Sequence, residues 1–148
     1  MHFGALDFLT QLEIPDFMVV LISHHRIEGL ISMSLPDQIN YLELPSLDPQ
    51  ASKDFFTALF GWRFVDYGPD YIAFFGAGID GGFYRSNIVA TPVQGGTLVV
   101  LKSANLAQSL AEVTAFGATI VKPIFSFPGG HRFEFLEPGG NQLAIWAE

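Results

Sequence analysis

The chain has 148 residues, 49% of them apolar and 15 of them Phe, and its seven Lys and Arg against fifteen Asp and Glu give a net charge of -8. So few scattered cations argue against a nucleic-acid partner, which needs clustered Lys and Arg to neutralise phosphates, and the apolar content argues against disorder. With no cysteine, disulfides, thiolate catalysis and zinc–thiolate sites are excluded, and a reducing, cytoplasmic setting is the expectation.

The length fits one domain that buries roughly two thirds of its unfolded surface. The dense apolar run Phe17 to Ile22 is far shorter than the roughly 20 residues that span a bilayer. Ahead of it stand Asp7, Glu13 and Asp16 and no Lys or Arg, which is unlike a signal peptide, so no membrane partner is expected.

Residues 1–36 read as an N-terminal extension. Leu6, Leu9 and Leu12 lie near helical spacing before Pro15, which predicts a short amphipathic helix. The apolar runs Phe17 to Ser23 and Gly29 to Ser34 flank His24-His25-Arg26-Ile27-Glu28, the pattern of a hairpin. Neighbouring residues on a strand face opposite ways, so His24 and His25 read as a polar turn rather than a shared metal site.

From residue 37 the chain repeats. A strand at Ile39 to Leu44 leads to a helix from Asp48-Pro49 to Gly61, and a strand at Thr97 to Lys102 leads to a helix from Asn105 to Gly117. Asp48 to Asn105 is 57 residues and Gly61 to Gly117 is 56, the spacing of two copies of one unit. Asp48 and Asn105 supply oxygen acceptors for the free N–H groups of a first helical turn, Pro49 suits the first helical position, and the glycines permit a left-handed end.

Three extended segments follow each helix. They are Trp62 to Tyr67, Tyr71 to Phe75 and Gly81 to Arg85, then Thr119 to Ile124, His131 to Phe135 and Gln142 to Trp146, with Gly and Pro clusters at the turns between them. Glu137-Pro138-Gly139-Gly140-Asn141 makes the last pair a hairpin. The expected fold is α+β, two tandem βαβββ modules at about 37–92 and 93–148.

This duplicated order, with Phe55-Phe56-Thr57-Ala58-Leu59-Phe60-Gly61-Trp62 at the first helix end and the Glu-Pro-Gly-Gly-Asn turn near the C-terminus, resembles the vicinal-oxygen-chelate superfamily. That group holds the glyoxalases, bleomycin-resistance proteins and extradiol dioxygenases. The resemblance covers 37–148 and implies two curved sheets forming a barrel-like mixed sheet around a cavity. In the family the final turn begins with Asp and its strand carries a metal-binding glutamate; here Glu137 and Ala144 stand in those places.

Pleat parity assigns the faces. Leu42 and Leu44 should meet the helix, leaving Tyr41 and Glu43 on the concave side; the 57-residue offset adds Leu98, Val100 and Lys102, and the last strand adds Gln142, Ala144 and Trp146. The resemblance implies a divalent metal held by His or Glu from the first and last strand of each copy. The matching places hold Tyr41, Leu98 or a neighbour, Ala144, and a residue near Phe83, so no metal and no cofactor are expected.

Tyr41, Glu43, Lys102, Arg132, Glu134 and Trp146 are the candidate ligand-binding set, aromatic walls with sparse orienting charges. Purely structural pairings, Glu43 with Lys102 and Arg132 with Glu134 on an exposed strand face, are the competing account. Tyr67, Tyr71, Tyr84 and Arg85 read as rim or cross-strand residues.

The functional expectation is a homodimeric protein that binds a small organic ligand between its modules. The alternative is a divalent-metal lyase, isomerase or dioxygenase with unusual ligands such as Glu43, Glu134 or His131. A third reading makes residues 1–32 an apolar arm for assembly.

Overall fold

The structure, a computed structural model, describes residues 37–148; the helix, hairpin and paired histidines expected before residue 37 lie outside the described residues. Asn40 to Glu148 form one unit. The elements are β1 (Tyr41–Ser46), α1 (Pro49–Phe60), β2 (Arg63–Asp66), β3 (Tyr71–Phe75), β4 (Asp80–Arg85), β5 (Val99–Lys102), α2 (Leu106–Ala115), β6 (Thr119–Phe127), β7 (Gly130–Leu136) and β8 (Gln142–Ala147), with a short 3-10 turn at Pro92–Gln94.

The two sheets have the same order, β1-β4-β3-β2 and β5-β8-β7-β6, each with its first and last strands parallel and the rest antiparallel. This is the duplicated βαβββ unit of an α+β fold, without a closed barrel. The helix ends follow their caps. Asp48 Oδ1 accepts from the Gln50 and Ala51 amides, and Asn105 Oδ1 from the Gln108 amide, which satisfies first-turn donors that have no partner within the helix. Gly61 ends α1 in the left-handed region; in the second copy Phe116 is the cap and Gly117 takes the positive φ one residue later.

The helix-facing sides of both sheets meet in an aromatic core. Phe56 and Phe83 are fully buried, Phe56 stacks on Trp62 at 4.4 Å and on Phe83 at 5.5 Å between ring centroids, and Phe55 reaches Phe135 of the second module at 6.1 Å. Offset and tilted ring pairs of this kind contribute about 1 kcal/mol each beyond the area they bury. α2 buries only Val113 fully.

Strand β6 runs past the expected end at Ile124 to Phe127. Pro123 lies in it where the pairing with β7 slips between Lys122 and Phe125; a proline, lacking an N–H, is tolerated because β6 is the sheet edge and the ladder is bulged there.

The final turn ties the modules together. Glu137 is buried, and its carboxylate accepts from the Gly139 amide (2.6 Å), the Asn141 side-chain amide (2.7 Å), the Asn141 backbone (3.2 Å) and the Ser52 hydroxyl (2.9 Å). Ser52 Oγ lies 2.9 Å from Ser46 Oγ, and Asn141 donates to the Pro45 carbonyl. Burial pushes the Glu137 carboxyl up from its ordinary range, and the surrounding donors pull against that shift. Gly139 packs so tightly on Ser46 and Ser52 Oγ that a Cβ would collide with both.

Candidate functional site

In each sheet the face turned away from the aromatic core is the one the resemblance makes concave. On the first sheet Tyr41 and Glu43 take this face, as expected, while Leu44 is buried in the core. Register places Gly82 beside Glu43 and Phe83 beside Leu44. Phe83 is therefore core, and the strand position near it that faces the candidate site is Gly82. The pleat separates the two: neighbouring residues of a strand take opposite faces.

Tyr71 closes the first face. Its hydroxyl donates to Glu43 Oε1 at 3.0 Å and lies 2.8 Å from the Tyr41 hydroxyl, so Tyr41 donates to Tyr71 and Tyr71 to Glu43. Any Cβ on Gly82 would run into the Tyr71 ring and hydroxyl. The Tyr71 phenol is pushed well above its ordinary value, first by burial and then by its hydrogen bonds to Tyr41 and Glu43. Tyr71 is thus the partner of Glu43, and not Lys102, its partner in the competing structural account.

The second face is built from two cross-strand rows. Lys102, Trp146, Arg132 and Phe125 stand side by side on β5, β8, β7 and β6, and the next row is Val100, Ala144, Glu134 and Lys122. Glu134 is buried at 1% exposure, and its carboxylate accepts from Arg132 Nη2 (3.0 Å) and Gln142 Nε2 (2.9 Å) and pairs with Lys122 Nζ (3.1 Å). Arg132 and Glu134 do pair, but Glu134 is buried and not on an exposed strand face. Removing a carboxylate from water requires such saturation, since an unmatched buried charge costs several kcal/mol.

The Arg132 guanidinium lies over Phe125 and Phe127, with its carbon 5.1 and 5.4 Å from the ring centroids. Phe127 meets Trp146 edge to face at 6.2 Å. Val100, Phe127, Gly129, Arg132 and Trp146 line a mostly apolar cavity of about 260 Å3. Arg132 Nε is buried and has no hydrogen-bond partner among the described residues. Lys102 pairs with Glu148 at 2.6 Å and lies 5.0 Å from the centre of the Trp146 ring; that ion pair holds the Glu148 carboxyl below its ordinary range.

The six candidate residues therefore fall into two groups. Tyr41 and Glu43 join Tyr71 on the first sheet, while Arg132 and Glu134 share one network on the second, with Trp146 and Lys102 beside it. Missing from the expected set are Lys122, Phe125, Phe127 and Gln142. The signal for the two phenylalanines was the alternation Phe125, Phe127 on the far side of Pro123. Arg85, read as a rim residue, pairs with Asp70 at 2.9 Å and donates to the Leu47 and Pro69 carbonyls, a loop fastening.

The donor set does not fit the family's metal. Of the places the resemblance assigns, Leu98, Gly82 and Ala144 carry no oxygen or nitrogen ligand, and Tyr41 carries a phenol hydrogen-bonded to Tyr71; the neighbouring Glu43 already accepts from Tyr71. Among the described residues no three His, Cys, Asp or Glu side chains converge, whereas such ions take several convergent donors. No described helix is long and apolar enough to cross a membrane.

Comparison with known proteins places this geometry. A glyoxalase/bleomycin resistance protein/dioxygenase family enzyme from Burkholderia phytofirmans PsJN superposes with a TM-score of 0.61 at 15% identity, covering 73% of this chain and 96% of its own. A glyoxalase-related enzyme from Fulvimarina pelagi gives 0.60 at 19%, covering 76% and 88%. Lactoylglutathione lyase from Agrobacterium tumefaciens gives 0.55 at 15%, covering 76% and 94%. These likenesses carry the fold alone. Among curated proteins none matches the chain. Over residues 38–145 the sequence matches the Glyoxalase/Bleomycin resistance protein/Dioxygenase superfamily, and the chain belongs to it.

Proposed function

We propose that the chain binds a small organic molecule on the helix-free face of its second module, without the metal of its enzymatic relatives. The supporting observation is the cavity walled by Phe127, Trp146 and Val100 and bordered by the half-buried Arg132 side chain. Apolar walls with one or two orienting polar groups are what organic ligands use. At about 260 Å3 the cavity suits one flat ring bearing a hydrogen-bond acceptor for Arg132. Glu134, already saturated, acts as the fixed counter-charge that holds the guanidinium in place.

The test is a titration of the full chain with a panel of single-ring aromatic compounds and lactoylglutathione, followed by Trp fluorescence. Each is measured without metal and with added Ni, Zn, Mn or Fe(II). The expected result is saturable binding of acceptor-bearing rings, independent of metal and weakened about tenfold or more by Arg132→Met, which removes a charge-assisted hydrogen bond. Binding only when metal is present contradicts the proposal, as does a panel in which nothing saturates.

A further inference from the structure

The two β–α junctions are built from one pattern and finished differently. In the first, the Asp48 amide donates to Ser46 Oγ (3.1 Å), Ser46 and Ser52 share a hydrogen bond (2.9 Å), and Ser52 donates to Glu137. The second repeats this 57 residues later: the Asn105 amide donates to Ser103 Oγ (2.9 Å), and Ser103 and Ser109 share a hydrogen bond (2.7 Å). There the series stops. Two hydroxyls joined by one hydrogen bond leave one O–H without an acceptor among the described residues.

The cause lies in the turns. β8 follows β7 through the five residues Glu137 to Asn141, which supply a carboxylate and, at Gly139, a backbone that can touch both serines. β4 follows β3 through only four, Gly76-Ala77-Gly78-Ile79. They contain no side-chain acceptor, and Ala77 carries the methyl group that the first junction has no room for. What remains at the second junction is a cavity of about 360 Å3 between the Gly76-Ala77 turn, Ser103 and Ser109, floored by Leu59, Trp62 and Ile145.

We propose that this cavity is a second ligand site, and that it takes the primary carboxamide of a small apolar molecule. The ligand's carbonyl accepts the spare serine proton, in the place the Glu137 carboxylate holds at the first junction. Its NH2 donates to Glu112, which lines the same cavity one helical turn beyond Ser109 and whose other oxygen is held by Gln108 Nε2 (2.8 Å). Glu112 disfavours a free carboxylate there by like-charge repulsion, and the Lys102 ammonium that would offset it is engaged by Glu148.

The experiment is a titration of the full chain with benzamide, benzoate and toluene, followed by amide NMR. Benzamide should saturably shift the Ala77, Ser103 and Ser109 amides and leave Ser46 and Ser52 in place. Ser109→Ala should weaken it about fivefold, the loss of one hydrogen bond, and Glu112→Gln should erase the preference for benzamide over benzoate. The spectrum of each variant reports its folding directly. No saturation at those amides, equal binding of benzoate by the native chain, or shifts centred on Arg132 and Trp146 would overturn this site while leaving the first cavity to its own test.

Discussion

The first β–α junction and the first sheet have their polar groups satisfied, the junction by Glu137 from the second module, whereas the second junction is left open. At the first junction Glu137 completes the serine pair, and on the first sheet Tyr71 covers Gly82 and takes up Tyr41 and Glu43. At the second junction the serine pair has no carboxylate acceptor among the described residues, and on the second sheet the half-buried Arg132 side chain borders a mostly apolar cavity. A duplicated fold can thus seal one of two equivalent places and leave the other for ligands, because a niche filled by the chain's own side chain is no longer available to a guest.

The widest separation should appear in the core. Phe56→Ala, which empties the centre of the ring stack, should cost about 4 kcal/mol, and Val113→Ala about 2 kcal/mol; urea unfolding of both variants measures the gap, and equal losses would erase the asymmetry between the helices.

At the junctions, Glu137→Ala should cost about 3 kcal/mol, since it strands the Ser52 hydroxyl, two backbone amides and the Asn141 side chain in a buried place. Ser109→Ala, at the open counterpart, should stay within about 0.5 kcal/mol. Similar losses at the two sites would break the claim that only one is sealed.

Gly82→Ala forces Tyr71 off the first sheet, at about 2 kcal/mol. The displaced phenol should ionise at lower pH than in the native chain, read by absorbance in an alkaline titration; an unchanged Tyr71 midpoint would mean that Tyr71 does not cover Gly82.

The smallest effect concerns Lys102 and Glu148. Their pairing lowers the Glu148 pKa in the folded state, so its contribution is present above the ordinary carboxylate range and lost as pH falls through the folded value. Lys102→Met should raise the Glu148 midpoint in a carboxyl NMR titration, and the small stability difference between variant and native chain should close in acid.

Much of the fold was legible because its signals are local. Asp48, Pro49, Asn105 and the glycines after each helix mark helix ends within a few residues, and the 57-residue offset exposes the duplication. The pleat placed Tyr41, Glu43, Val100, Lys102 and Trp146 correctly. The fourth ligand place could be put only near Phe83, since the face of a strand inverts with a single step in register and only pairing with β1 singles out Gly82. Phe125 and Phe127 were lost because Pro123 suggests a strand end unless the strand is an edge. The partners of Glu137 were hidden for another reason: Ser52 is 85 residues away, although the recurrence of Ser46 and Ser52 as Ser103 and Ser109 was a visible trace of the junction.

The most direct measurement is the Arg132 Nε–H resonance in the full chain, followed while the tightest-binding aromatic compound of the panel is added. Our account predicts that this resonance shifts saturably as the cavity fills, while the Tyr41, Glu43 and Tyr71 amides stay in place. Saturable binding that moves the Tyr71 face and leaves Arg132 Nε–H unchanged would contradict it.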